Sequence, residues 1–179
     1  VIVIVDPPPV SLSRSYKREY GNNFFSAIPA NIFGPRDDFS KDHSHVVGAL
    51  IRKIHEAKIN QKDKVILWGT GLPKREFIFV DDLAKASLFL MKNFNNNEVI
   101  NIGSKETLSI SDIAQSIKTV IGFEGSIEFD MNSLDGMPIK TLDSEPLSAL
   151  GFEAPTSFIS GVKLTYEWFL KSKYINNSC

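Results

Sequence analysis

Apolar residues recur along the chain in two spacings, one typical of strands and one typical of helices. Short runs rich in β-branched and aromatic residues, bounded by Gly, Pro, Asn or Asp, predict strands. These runs are 1–5, 24–33, 64–69, 76–80, 98–103 and 126–130. Between them, apolar residues three or four positions apart predict helices within 43–58, 81–94, 109–122 and 156–171. The mixture of strands and helices predicts an α/β fold.

Polar residues and glycines at the ends of these patterns predict where the helices start and stop. Ser44 is a plausible N-cap for the helix within 43–58. Ser109 and Asp112 have the spacing of a capping box, and Gly122 suits the end of the same helix. In the helix within 81–94, the pattern predicts one largely apolar stripe through Leu83, Ser87, Leu88, Met91 and Phe94.

Composition narrows the classes of protein to consider. The chain has 179 residues, of which 42% are hydrophobic and 23% charged, as in an ordinary soluble globular protein. A net charge of −1 gives no electrostatic footprint for nucleic acid, and no apolar run approaches the length of a membrane span. The only cysteine, Cys179, leaves no disulfide framework. We therefore expect a cytoplasmic protein with neither nucleic-acid nor membrane partners.

The stretch WGTGLPKREFIFVDDLA, residues 68–84, combines residue types that suit a nucleotide ligand. Trp68 offers a flat face for a ring, and the guanidinium of Arg75 can bind a pyrophosphate through two parallel hydrogen bonds. A plainer interpretation also exists. The glycines then form a tight turn, and Arg75 pairs only with Asp81 or Asp82.

Three other segments contain residues that could take part in binding or catalysis. Each of them also has a purely structural interpretation. PANIFGP, residues 29–35, ends a strand, where α/β sheets bind ligands, but it also reads as a simple turn. HSH, residues 43–45, lacks a third nearby ligand for a metal, although one histidine at a helix start could act as a general acid. The polar loop 133–140 contains Asp135 and Lys140 and could be merely solvated.

Two motifs are absent from the sequence. No GxxGxxG or GxGxxG occurs among the 11 glycines, so no segment of this sequence matches a dinucleotide pyrophosphate loop. No tyrosine is followed four residues later by lysine.

Taken in order, SYKREYG, IPANIFGP, HSHVVGALIRKIHEAK, WGTGLPKREFIFVDDLA, INIGSKETLSISDIA and DGMPIKTLD resemble a known family. They are similar to the C-terminal half of the GDP-L-fucose synthases, which are NADP-dependent epimerase-reductases of the extended short-chain dehydrogenase/reductase group. The resemblance covers roughly residues 15 to 170. It implies the C-terminal part of a Rossmann-like fold with a substrate-binding lobe over 15–179, preceded by an unmatched segment, 1–14.

The resemblance also implies roles for individual residues. His45 matches the family's catalytic acid and also lies along the cofactor site. Pro29, Ala30, Asn31 and Ile32 match the segment along the nicotinamide and the sugar. The substrate-binding matches are Asn31, Lys53, Trp68, Arg75, Asp135 and Lys140. Ile139 departs from the family pattern, which commonly has arginine before the lysine of that loop. No metal is implied.

The start of the chain departs further from the family pattern. The family's catalytic tyrosine and lysine would fall at Ile2 and Asp6, and Pro7, Pro8 and Pro9 are unsuited to a helix interior. We therefore expect a fragment, or a product with a substituted start, of a longer enzyme. We also expect this chain to be inactive by itself, because the glycine loop and the tyrosine–lysine pair that the resemblance implies are missing. By the resemblance, NADP is bound mainly by the half that this sequence lacks, and the complete enzyme is a homodimer.

The expected function is the epimerisation and reduction of GDP-4-keto-6-deoxymannose to GDP-L-fucose, with this chain supplying the nucleotide-sugar-binding half. Two alternatives stay open. The chain could belong to another extended reductase that acts on a UDP- or dTDP-sugar. It could also be a non-catalytic nucleotide-sugar-binding module, which the absent tyrosine and lysine would favour.

Overall fold

The computed structural model describes residues 2–4, 8–96, 98–172 and 174, and it has the α/β fold expected from the sequence. Its contacts divide the chain into two units. Unit 1 comprises Val1–Ile32, Glu76–Glu106 and Thr141–Thr156, and unit 2 comprises Phe33–Arg75, Thr107–Lys140 and Ser157–Cys179.

After a first strand and a first helix, pairs of consecutive strands are each followed by a helix, and two helices end the described chain. The strands are β1 (Ile2–Ile4), β2 (Phe25–Pro29), β3 (Asn31–Phe33), β4 (Lys64–Trp68), β5 (Lys74–Phe79), β6 (Val99–Ile102), β7 (Thr107–Ser109), β8 (Ser126–Asp130) and β9 (Ile139–Lys140). The helices are α1 (Pro8–Tyr20), α2 (Val46–Ile59), α3 (Val80–Asn93), α4 (Ile110–Ile121), α5 (Glu145–Ala149) and α6 (Phe158–Leu170).

Unit 1 is built on a parallel sheet in the order β1-β2-β6. The register pairs Ala27 with Ile100 and Pro29 with Ile102, so β2 and β6 end at the same edge. In β2 and β6, the side chains of Phe25, Ala27, Ile100 and Ile102 are buried, as expected for strands of a parallel sheet. The buried core of the unit consists of Phe25, Ala27, Ala30, Ile78, Leu83, Ala86, Leu90, Ile100, Ile102 and Leu147.

Helix α1 begins within residues 1–14, the segment that does not match the family pattern. Its first two residues are Pro8 and Pro9. Proline is tolerated in the first turn of a helix, because the N–H groups there have no partner within the helix. The prolines therefore mark the start of α1 and leave the helix interior intact.

Unit 2 contains the parallel pair β4 and β8, whose register runs from Lys64 opposite Ser126 to Trp68 opposite Asp130. Helix α4 packs against both α2 and α6. Their facing apolar side chains are fully buried, among them Ile54, Ile117 and Val162. The first two residues of β5 pair in parallel with β9, which places Arg75 opposite Lys140.

The structure corrects several details of the sequence analysis. The expected strand 24–33 is divided at Ala30 into β2 and β3. The N-cap of α2 is His45 and not Ser44, and no side chain caps this helix. The short elements β7, β9 and α5 were not predicted, since two to five residues are too few to show a period.

The apolar stripe predicted for α3 is also partly wrong. Leu83 is buried, but Leu88 and Met91 are 60% and 57% exposed. The buried face is formed by Leu83, Ala86 and Leu90. A small alanine is compatible with close packing on the sheet, and the sequence pattern gave more weight to the larger residues. In the described part of the chain, every helix is too short or too polar to cross a membrane.

The predicted capping box at the start of α4 is confirmed. The Ser109 hydroxyl accepts a hydrogen bond from the Asp112 N–H at 3.0 Å, and the Asp112 carboxylate accepts one from the Ser109 N–H at 3.1 Å. Gly122 ends the helix in the left-handed conformation, with φ 69°. Both ends of α4 are therefore fixed by local chemistry.

We predict that Ser109→Ala lowers the free energy of unfolding by about 1 kcal/mol, because the N-cap hydroxyl is lost. Urea denaturation followed by circular dichroism measures this. Hydrogen bonds from the Ser109 hydroxyl and N–H lower the pKa of Asp112, so the capping contribution is present above pH 3.8, its ordinary value. The difference between the two proteins should shrink as the pH falls through the lowered pKa. Ser111→Ala is the control, and an equal loss there would contradict the prediction.

Candidate functional site

In unit 1, the predicted cofactor segment lies where β2 ends. Pro29 is the last residue of β2, and the Ala30 N–H donates to the Ile102 carbonyl at 2.8 Å. The Asn31 side-chain amide donates to the Glu76 carbonyl at 2.8 Å, which fixes the plane of that amide. Ile32 is 41% exposed. These four residues therefore span the point where β2 ends, at the carboxyl edge of a parallel sheet, and β3 begins. Such edges are where parallel sheets bind ligands.

Glu76 holds the loops beside that strand end. Its side chain is buried, and its two carboxylate oxygens accept the N–H groups of Lys105 and Leu142, each at 2.9 Å. A Cβ added to Gly103 would collide with the Glu76 carboxylate and with the Ser144 hydroxyl. Only glycine therefore fits where β6 leads into this loop.

In unit 2, the Gly69–Gly71 turn is fastened to the loop that contains Asp135. The Thr70 N–H and hydroxyl donate to the two Asp135 carboxylate oxygens at 2.8 and 2.6 Å. These bonds, that of the hydroxyl first, lower the pKa of Asp135. Gly71 has φ 76°, and a Cβ there would lie 2.6 Å from the Phe129 ring. Both backbone conformation and space therefore require glycine at this turn.

Arg75 lies beside the same loop. Its Nη1 donates to the carbonyls of Lys74 and Met137, both at 2.7 Å. Asp82, one of the carboxylates considered as its structural partner, is fully buried and accepts from the Thr156 N–H at 2.8 Å and from Lys85 at 3.1 Å. A guanidinium carries five N–H donors, so these two bonds leave donor capacity for an anion.

Four of the predicted substrate residues line one cavity of about 960 Å³ in unit 2. They are Lys53, Trp68, Arg75 and Asp135. Trp68 is 82% exposed, an unusual position for so large an apolar ring. The ionisable lining residues are Lys41, Arg52, Lys53, Lys62, Lys64 and Arg75 on the basic side, and Glu56 and Asp135 on the acidic side. The excess of positive charge makes the cavity suitable for an anion.

Lys53 and Arg52 are held on α2 within the cavity wall. The Lys53 ammonium donates to the Ile66 carbonyl at 2.5 Å, and burial, with the charge of Arg52 second, lowers the pKa of Lys53. Arg52 forms an ion pair with Glu56 at 3.3 Å. Both cations are therefore oriented before any ligand arrives.

His45 and Lys140 do not themselves line this cavity. His45 is exposed at the start of α2, and its carbonyl accepts the first helical hydrogen bond from Ala49 at 2.8 Å. Its neighbours Ser44 and Val46 do line the cavity. Lys140 is exposed on β9. Across the described ranges, no group of three or more His, Cys, Asp or Glu side chains is placed to hold a metal ion.

The sequence analysis missed Thr70 and the basic residues Lys41, Arg52, Lys62 and Lys64. Thr70 bonds to Asp135 across 65 positions, a pairing that no local pattern shows. The basic residues are scattered over 24 positions of sequence and look like ordinary surface charges until β4 and α2 bring them together. Only their placement on adjacent elements reveals one charged cavity.

The parallel sheet, the strand-end segment and the cationic cavity define an α/β protein of Rossmann-like fold with features suited to a nucleotide ligand. The profile of the NAD dependent epimerase/dehydratase family matches residues 10–103. The chain belongs to that family.

Named relatives are similar over most of this chain. A GDP-L-fucose synthase from Sinorhizobium fredii is 44% identical, covering 91% of this chain and 52% of the relative. GDP-L-fucose synthase 1 of Arabidopsis thaliana is 41% identical, covering 91% and 50%. A crystal structure of a GDP-L-fucose synthetase from Naegleria fowleri bound to NADP is 32% identical, with TM-score 0.83, and covers 93% of this chain and 54% of that one. The chain thus spans about half the length of these relatives.

We predict that Asp135→Ala loosens the Gly69–Gly71 turn. The Thr70 amide would lose its acceptor and should exchange with solvent deuterium several-fold faster. Residue-resolved hydrogen exchange by NMR measures this. The neighbouring Gly69 N–H donates to the Asp130 carbonyl at 3.1 Å and is the internal control. If exchange at Thr70 is unchanged, or if exchange at Gly69 accelerates equally, the Asp135 hydrogen bonds do not stabilise this turn locally.

Proposed function

We propose that this chain supplies the nucleotide-sugar-binding half of a GDP-L-fucose synthase, the enzyme that epimerises and reduces GDP-4-keto-6-deoxymannose with NADPH. The observation that carries the proposal is the cationic cavity with the exposed Trp68 ring and the Arg75 guanidinium in its lining. The two named fucose synthases described above, at 41% and 44% identity, support this choice of substrate.

The nucleotide diphosphate is matched to the cavity by charge and shape. Arg75 retains N–H donors in a planar fork that suits two phosphate oxygens, and Lys53 adds a second fixed cation. Trp68 presents its face for stacking on the base, and such stacking contributes about 1–3 kcal/mol. Asp135 serves this site indirectly, because its carboxylate fixes the Thr70 turn between Trp68 and Arg75.

The strand end 29–32 suits the nicotinamide end of NADP. It lies at the carboxyl edge of a parallel sheet, Ala30 offers little bulk, and the Asn31 amide is held in one plane by the Glu76 carbonyl. NADPH, when bound, supplies the hydride for the reduction at C4. The residues of this chain would orient the ring and exclude water from it.

His45 is the proposed general acid. The C4 ketone of the substrate makes the protons on C3 and C5 acidic, and each epimerisation removes one proton and returns one to the opposite face. His45 is exposed at the start of α2, where its imidazole would donate a proton to the substrate. Lys140 is proposed to contact the nucleotide through the loop that precedes β9.

We predict that the chain binds GDP and GDP-sugars more tightly than UDP or dTDP. The measurement is quenching of Trp68 fluorescence in a Trp168→Phe background, since the chain has only two tryptophans. Trp168 lies against Phe39, with ring centroids 6.0 Å apart, so phenylalanine keeps an aromatic contact there. Tighter binding of UDP or dTDP would instead favour an extended reductase for another sugar, and the absence of saturable quenching by any of them would refute the proposal.

We predict that Arg75→Ala weakens GDP binding by about 1.5–3 kcal/mol, the usual contribution of a hydrogen bond to a charged group. Arg75→Lys should recover only part of this, because an ammonium lacks the planar fork. Isothermal titration measures the affinity and differential scanning calorimetry the melting temperature. A lowered melting temperature with unchanged GDP affinity would assign Arg75 a purely structural role through its bonds to Lys74 and Met137.

A further inference from the structure

Two large apolar side chains in the wall of the cationic cavity are left largely uncovered. Leu134 has 97% of its surface exposed and Trp68 has 82%. Both line the cavity of about 960 Å³ in unit 2. A single exposed leucine is ordinary on a protein surface. Two large apolar side chains in the wall of one cavity, however, form a surface that suits a ligand with an apolar face.

The two side chains flank one tight contact between a turn and a loop. A Cβ built on Gly69 would collide with the Asp135 carboxylate and would lie 3.8 Å from the Asp135 Cα. Trp68 directly precedes Gly69, and Leu134 directly precedes Asp135. The two side chains therefore start from neighbouring points of the cavity wall, on segments that are far apart in sequence.

Hydrogen bonds hold the backbone on both sides of Leu134. On one side, the Ser133 N–H donates to the Asp130 carbonyl at 3.1 Å, and the Ser133 hydroxyl donates to the Asp130 carboxylate at 3.1 Å. On the other side, the Asp135 carboxylate accepts the two hydrogen bonds from Thr70. The loop therefore fixes the position of Leu134 without burying its side chain.

The charge of the cavity indicates what this apolar pair would bind. Arg75 and Lys53 line the same cavity and suit an anion. A purely apolar ligand would leave these cations without a partner, and an inorganic anion would leave the two apolar side chains uncovered. A nucleoside diphosphate has both an anionic part and a flat ring with two apolar faces, so its chemistry matches both sets of residues.

We propose that Leu134 is a base-binding residue, whose side chain covers the face of the nucleobase opposite to the face that stacks on Trp68. This inference rests on the proposed function and adds to it a second contact for the base. Stacking of a base on an aromatic ring tolerates any base, because every base has a flat face. The alkyl group of Leu134 would likewise exclude water from the base without reading its edge.

The test is isothermal titration of this chain and its variants with GDP and with inorganic pyrophosphate, which has no base. Leu134→Ala should weaken GDP binding about 3- to 10-fold, the effect of half-burying a leucine side chain, and leave pyrophosphate binding unchanged. Leu134→Met keeps an apolar side chain of similar volume and should bind GDP within about two-fold of the unmodified chain. Because Leu134 is exposed, both variants should keep the melting temperature within about 2 °C.

Leu72→Ala is the matched control. Leu72 is 73% exposed beside the same glycine turn but is not among the residues that line the cavity. Its replacement should leave both affinities unchanged. The inference is overturned if Leu134→Ala binds GDP as the unmodified chain does, the result expected if another protein surface covers Leu134. It is also overturned if Leu72→Ala weakens GDP binding equally, or if Leu134→Ala weakens pyrophosphate binding as much as GDP binding.

The two proposals fail in distinguishable ways. If the unmodified chain does not bind GDP, the proposed function and the role of Leu134 are both refuted. If it binds GDP, and Arg75→Ala weakens that binding while Leu134→Ala does not, the proposed function stands and only the role of Leu134 is refuted.

Discussion

The organisation of unit 1 depends on one buried carboxylate. Glu76 has only 1% of its surface exposed, yet it lies where three separated segments of chain meet. Its side chain accepts the N–H groups of Lys105 and Leu142, and its carbonyl accepts the Asn31 amide. The two loops that contain Lys105 and Leu142, and the first residue of β3, are therefore held by bonds to one residue, and the buried position of Glu76 strengthens them.

This arrangement makes the neighbouring residues hard to replace. A side chain at Gly103 would collide with the carboxylate, and shortening Glu76 would leave the N–H groups of Lys105 and Leu142 without these acceptors. The segment 29–32 is held in place by the bond from Asn31 to Glu76. A ligand that binds to such a segment does not have to order the chain on binding.

Sequence reasoning succeeded where the determinants are local. Ser109, Asp112 and Gly122 carry the start and stop of α4 within 14 residues, so their roles follow from spacing alone. It failed for the α3 stripe, because packing on the sheet selects Ala86 over the larger Leu88. Sheet contacts are tertiary, and a helical period does not say which of two adjacent stripes will be covered.

The candidate site shows the same division between local and distant determinants. The exposure of Trp68 could be anticipated because it stands at the end of a strand, just before a glycine turn. The Thr70–Asp135 hydrogen bonds could not be anticipated, since they join residues 65 positions apart. The family resemblance named Asp135 but not its partner. The structure shows that this carboxylate accepts two hydrogen bonds from Thr70 in the turn.

Under the proposed function, the chemistry of the cavity limits how strongly it could select one nucleotide over another. Arg75 and Lys53 would bind a diphosphate, a group that GDP-, UDP- and dTDP-sugars share, so their charge contributes affinity without discrimination. Trp68 can stack on any base, and the larger face of guanine gives only a modest preference over a pyrimidine. Strong discrimination requires polar groups that match the edge of one base and would be left unpaired by another. Selectivity for guanine would therefore have to come from such groups near Trp68, and the cations of the cavity would hold whichever nucleotide those groups admit.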